Sequence, residues 1–98
     1  MNAFFVSRIR VRDPEKMKEY AQATGPTIGA FGGQLAVRGA LAKTLLGEAD
    51  EHNVTSVVTF PDLAALETWF ASPEYQIHTA LRDAAGDMQF IAYEVPAA

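Results

Sequence analysis

The sequence contains no cysteine, which excludes disulfides, thiolate catalysis and thiolate-bound zinc. Histidine is nearly as scarce. Only His52 and His78 are present, so a transition-metal site is poorly supplied, and no metal or other cofactor is expected. Positive charge is short as well: eight Lys and Arg stand against twelve Asp and Glu, for a net charge of −4. Phosphate backbones are bound by clustered basic residues, so nucleic acid is not an expected partner. No apolar run approaches the ~20 residues needed to cross a bilayer, and no basic segment followed by an apolar one opens the chain. A soluble, cytoplasmic protein that does not engage membranes is expected. No glycine-rich loop leads from a strand into a helix, which removes the usual phosphate cradle. No Ser, His and acid are spaced as a nucleophile motif.

What the chain has in quantity is apolar bulk. Hydrophobic residues make up 49% of 98 positions, enough for one domain spanning 1–98. A chain of this size buries only ~60–70% of its unfolded surface. The apolar surplus needs another cover, and a second copy of the chain supplies one.

Residues 3–12 have strand chemistry, with Phe5, Ser7, Ile9 and Val11 on one face and Phe4, Val6, Arg8 and Arg10 on the other. Asp13-Pro14-Glu15 is a helix start: a capping carboxylate, a preset proline and an acid at the positive end of the dipole. Met17, Tyr20, Ala21 and Thr24 then fall on one helical face, and Gly25-Pro26 predicts an interruption before Gly32-Gly33. A short strand is expected over 34–38, with pairing resumed near Lys43–Leu46. Glu48–Asn53 is an exposed acidic turn. Val54–Phe60 is a strand with no charge on either face, which predicts cover on both sides. Pro61-Asp62 opens a helix with Leu63, Leu66 and Phe70 inward and Trp69 beside them as ordinary core. Ser72-Pro73-Glu74 breaks that helix and starts a second piece, whose spacing predicts Ile77, Ala80, Leu81 and Ala84 as its buried face. Gly86 stops it, and 88–95 is the last strand.

Strand, helix, strand, strand, split helix, strand is the order of a ferredoxin-like βαββαβ fold of the α+β class. It has a four-stranded antiparallel sheet with helices on one face. The bare face of such a sheet can pack on its twin, giving a homodimeric α+β barrel.

Several of these residues together resemble a known family. Asp13-Pro14-Glu15 with Tyr20, Gly32-Gly33, Arg38-Gly39, Val57-Val58-Thr59-Phe60-Pro61, and Ser72-Pro73-Glu74-Tyr75-Gln76 with Arg82 are similar to the DUF1330 family, small proteins of uncharacterised function in the dimeric α/β-barrel superfamily. The resemblance implies that fold and a dimer. That family usually carries Leu-Glu-Gly near the end of its second strand; the corresponding run here is Leu45-Leu46-Gly47-Glu48, with leucine in the place of the acid.

The candidate chemistry is polar and sparse. Tyr75, His78 and Arg82 lie within about 60° of one another at ~100° per residue: a phenol, an imidazole and a guanidinium that can grip a carboxylate or enolate. They also suit a plain boundary stripe, with Tyr75 packed, Arg82 paired to an acid and His78 solvated. Arg8 and Arg10 form either an anion-binding floor or a set of salt bridges. Tyr20 is a core ring whose hydroxyl needs a partner, and Arg38 stands at a strand end within reach of a cleft. Glu48-Ala49-Asp50-Glu51-His52-Asn53 reads as a solvated loop before it reads as a metal site. The resulting expectation is a small homodimer that binds a small, in one version anionic, organic molecule between sheet and helices, through Arg8, Tyr20, Arg38, Tyr75, His78 and Arg82. The alternative is a cofactor-independent monooxygenase- or isomerase-like enzyme, with His78 as base and Arg8 or Arg82 holding the anion.

Overall fold

In the computed structural model, which describes residues 2–96, β1 (Ala3–Val11) runs through the middle of the sheet. It is followed by α1 (Pro14–Ala30), β2 (Gln34–Ala40), β3 (Val54–Phe60), α2 (Leu63–Ala71), α3 (Pro73–Gln76), α4 (Thr79–Ala85) and β4 (Gly86–Glu94). The strands lie in the order β2-β3-β1-β4, and every pair is antiparallel. This is the ferredoxin-like α+β arrangement, with helices on one face.

Alternation in β1 decides which face that is. Ala3, Phe5, Ser7 and Ile9 are buried beneath the helices, while Phe4, Val6, Arg8 and Arg10 turn the other way. Ser56, Val58 and Phe60 of β3 share the covered side. Trp69 completes this core from α2, stacking on Phe5 at a centroid distance of 5.3 Å and meeting Tyr75 at 4.5 Å. The centre of α2 is therefore Trp69; Phe70, expected inward, is 39% exposed. β4 joins β1 at very close range: a Cβ on Gly86 would collide with the Arg10 carbonyl oxygen.

The Asp13 carboxylate caps α1 by accepting from the Lys16 N–H at 3.1 Å. The interruption expected at Gly25-Pro26 does not occur, and α1 runs through to Ala30. Proline removes one helical hydrogen bond, but side chains secure the same turn. Thr24 donates to the Tyr20 carbonyl at 2.9 Å, Thr27 donates to the Thr24 carbonyl at 2.6 Å, and Trp69 Nε1 donates to Thr27 Oγ1 at 3.0 Å. Tertiary anchoring overrides the local signal.

The break at Ser72 stands where its Ser-Pro-Glu run places it, with the hydroxyl accepting from the Tyr75 N–H at 3.2 Å. The piece beyond it is divided again at Ile77-His78 into α3 and α4. That second break shifts the helical phase, so the predicted buried face is displaced. Ile77 is 74% exposed, and Ala80 and Ala84 are exposed, whereas Tyr75 and Ala85 are fully buried and Leu81 and Arg82 half-buried.

Past Ala40 the chain leaves the sheet. No pairing resumes at Lys43–Leu46, and Leu45 and Leu46 stand almost fully exposed. The returning limb folds over the basic end of β1, where Asp50 pairs with Arg8, and Glu51 with Arg10 at 3.2 Å. The rest of that open face is mainly apolar, with Val6, Val57, Ile91 and a stacked Phe4–Tyr93 pair at 5.3 Å set among Thr55, Thr59 and Gln89. Among the described residues, no helix is long and apolar enough to cross a membrane.

Candidate functional site

A cavity of about 150 Å³ lies between α1 and the covered face of the sheet. The two periodicities of the chain build it. Met17, Tyr20, Ala21 and Thr24 come down from one stripe of α1, and alternate residues Phe5, Ser7 and Ile9 of β1 rise from below. Ser56 and Val58 of β3, Trp69 of α2 and Phe90 of β4 complete most of the wall. The cavity adjoins an open groove of about 730 Å³ along α1 and the far end of β2, and Met17, Ala21 and Arg38 line both spaces. The opening exists because β2 is exposed along nearly its whole length.

Polar groups on this apolar wall are few and connected. The Ser7 and Ser56 hydroxyls are hydrogen-bonded to each other, and the Ser56 N–H donates to Ser7 Oγ at 3.0 Å. The Tyr20 hydroxyl is 2.8 Å from that of Tyr75, which accepts from Arg82 Nη1 at 3.4 Å. Arg82 Nε in turn donates to Asp83 at 3.1 Å. Burial pushes the Tyr20 phenol well above its ordinary pKa, and Tyr75 adds to the effect, so Tyr20 keeps its proton at neutral pH. Burial alone would lower the Arg82 pKa; hydrogen bonds to Tyr75 and Asp83 outweigh it, and the net direction is upward.

The residues singled out from the sequence are distributed over the molecule. Tyr20 and Arg38 line the cavity. Tyr75 stands directly behind Tyr20, fully buried, and Arg82 lies behind Tyr75, bordering a separate hollow with Phe70, Met88 and Phe90. His78 is half-buried at the start of α4, makes no side-chain capping bond there, and lines none of these spaces. Arg8 is on the opposite face of the sheet, in a hollow of about 380 Å³ beneath the β2–β3 connection, paired with Asp50 and 3.3 Å from Gln89. Arg8, His78 and Arg82 therefore share no cavity.

Ser7, Ser56 and Thr24 were not identified from sequence as site residues. The available signal was a small hydroxyl residue at an inward strand position, Ser7 between Phe5 and Ile9 and Ser56 between Val54 and Val58. Chemically, the cavity offers aromatic and aliphatic walls to a flat apolar body and hydroxyls to orient it. Among the described residues that line it, none is a carboxylate or an imidazole, so it holds no strong base.

The family described as "Domain of unknown function (DUF1330)" matches residues 2–95. Comparison with curated protein sequences finds no match. Among solved structures, the chain is similar to a protein of unknown function from Rhodopseudomonas palustris, with 22% identity and a TM-score of 0.78 over 98% of this chain and 83% of that one. It is also similar to SnoaB, a cofactor-independent oxygenase from Streptomyces nogalater, with 14% identity and a TM-score of 0.71 over 99% and 95%. A third is a dimeric ferredoxin-like protein of unknown function from Thermobifida fusca, with 14% identity and a TM-score of 0.66 over 97% and 92%.

Proposed function

For this chain, which belongs to the DUF1330 family, we propose a homodimer in which each protomer binds one small organic molecule between α1 and the sheet. The observation that carries the reading is the cavity itself: aromatic and aliphatic walls, a few inward hydroxyls, and a groove leading to the surface past Arg38. A space of ~150 Å³ receives a single aromatic ring, and the groove accommodates substituents. Arg38 at the common wall suits an anionic one. The open face supports the dimer, because Phe4, Val6, Val57, Ile91 and Tyr93 leave apolar area that no helix of the described residues covers. Solved structures similar to this chain are described as dimeric.

The test is calorimetric titration with 1-naphthoate as probe. Saturable binding at one site per chain is expected, lost in Ala21→Phe, which fills the cavity at its junction with the groove, while circular dichroism stays unchanged. Binding that survives Ala21→Phe would contradict this location. Sedimentation velocity is expected to give twice the chain mass at micromolar concentration; a monomer would contradict the dimer.

The likeness to SnoaB supports a second reading, in which the same cavity hosts a cofactor-independent reaction of a bound aromatic molecule with O₂. Oxygen consumption on adding 1-naphthol to the protein, abolished by Ala21→Phe, would favour it. The absence of consumption leaves binding as the activity.

A further inference from the structure

We infer that the cavity is built to receive an acceptor oxygen, so that its ligand carries a carbonyl, enolate or phenolate group on an aromatic or alicyclic body. This rests on the small-molecule reading above and names the ligand's chemistry. The argument is a count of hydroxyl protons.

Two hydroxyls that share one hydrogen bond use one proton and leave one over. Ser7 and Ser56 are such a pair, and Ser7 Oγ already accepts from the Ser56 N–H. Whichever serine donates to the other, one proton is left at the cavity wall, and among the described residues neither hydroxyl has a further acceptor. Thr24 adds no third donor, since its proton goes to the Tyr20 carbonyl.

The tyrosine pair leaves a second proton, and burial fixes which ring holds it. Arg82 can only donate, so the Tyr75 oxygen is the acceptor of that contact. Tyr75 is fully buried, and the acceptor within reach of its own proton is the Tyr20 oxygen at 2.8 Å. The reverse direction would bury the Tyr75 proton without a partner. The chain of donors therefore runs from Arg82 to Tyr75 to Tyr20, and the Tyr20 proton is left for the Thr24 hydroxyl beside it or for an acceptor in the space that Tyr20 lines. A cation at the far end polarises each bond in turn and strengthens the last donor. Tyr20 is the contact residue; Tyr75 and Arg82 are positioning residues that act through it.

The experiment compares 1-tetralone with tetralin, which has nearly the same shape but no carbonyl, by calorimetry or competition against 1-naphthoate. Wild-type protein is expected to bind the ketone about fivefold to tenfold more tightly, the worth of one to two net hydrogen bonds. Tyr20→Phe is expected to shrink that preference while leaving tetralin affinity unchanged. Tyr75→Phe is the directional test. If Tyr75 donates to Tyr20, its loss lowers ketone affinity by about threefold; if Tyr20 donates to Tyr75, the loss frees the Tyr20 proton and raises it. A rise would overturn the assigned direction. Equal binding of ketone and hydrocarbon by wild-type protein would overturn the inference and leave the cavity reading standing, a result that needs no variant to fold. If 1-naphthoate binds but neither compound displaces it, the inference falls and the cavity reading stands; if none of the three binds, both fall.

Discussion

On the helix-covered face of the sheet, Phe5, Phe60 and Trp69 are almost wholly buried, while on the opposite face Ile91 and Tyr93 are 37% and 46% exposed. Alternation along a strand divides the two sides: in β4, Phe90 packs against the covered core while its neighbour Ile91 turns to the open face, and Trp69 reaches the core from α2. The difference separates two jobs. The covered face holds the aromatic cluster that folds a single chain, and it contains the cavity. The open face carries apolar area that the single chain does not use, which is what a protein-protein surface requires. Charge sharpens the contrast. Arg8 and Arg10 sit at one end of the open face and are neutralised within the chain by Asp50, Glu51 and Asp87, so among the described residues the apolar end carries no unpaired side-chain cation.

Substitutions on the two faces are expected to separate stability from association. Trp69→Ala is the largest. It empties the centre of the covered core and is expected to cost ~3–5 kcal/mol in urea unfolding, whereas Tyr93→Ala on the open face should cost the monomer only about 1 kcal/mol, the worth of its stack on Phe4. Val57→Lys is expected to weaken the proposed dimer by about a hundredfold or more, because it would leave a charge unpaired in an apolar contact. Sedimentation equilibrium reads the effect, and circular dichroism should show the fold retained. Gly86→Ala drives a methyl group into the Arg10 carbonyl, for an expected loss of ~1–3 kcal/mol, measured the same way. Asp13→Ala removes the cap of α1 at ~1 kcal/mol.

The smallest effect is on charge. The hydrogen bond from Arg12, with burial opposing it and Arg10 assisting, holds the exposed Asp87 carboxyl below its ordinary pKa. A depressed carboxylate stabilises the fold above its unfolded value, ~3.9, and loses that contribution as pH falls through the folded value. Asp87→Asn should therefore lower the thermal midpoint slightly at pH 7, with the difference vanishing in acid. A difference that grows in acid would reverse the assigned sign.

Most of the fold was legible because its signals are local. Alternation in β1 and β3, the caps at Asp13, Asp62 and Ser72, and the prolines that follow Asp13 and Ser72 act over a few residues, and the sheet order follows from their sequence. Four local readings failed: Thr24, Thr27 and Trp69 carry α1 through Pro26; Phe70 is partly exposed; no strand forms over 43–46; and the break at Ile77-His78 displaces the expected buried face, leaving Ile77 exposed. The site was legible only in pieces. Tyr75 and Arg82, seven residues apart, belong to one stripe on any helical count. Tyr20 meeting Tyr75 spans 55 positions, and Ser7 meeting Ser56 spans 49; such pairings depend on strand register and helix docking, which no short spacing encodes. Arg8 was placed on the correct face, but its pairing with Asp50 depends on how the β2–β3 connection returns.

Titration of 1-naphthoate into the Val57→Lys monomer tests the separation of the two faces most directly. One site per chain is predicted, with an affinity within about twofold of the wild-type protein, as expected for distant and independent positions. A folded monomer that no longer binds the probe would contradict it.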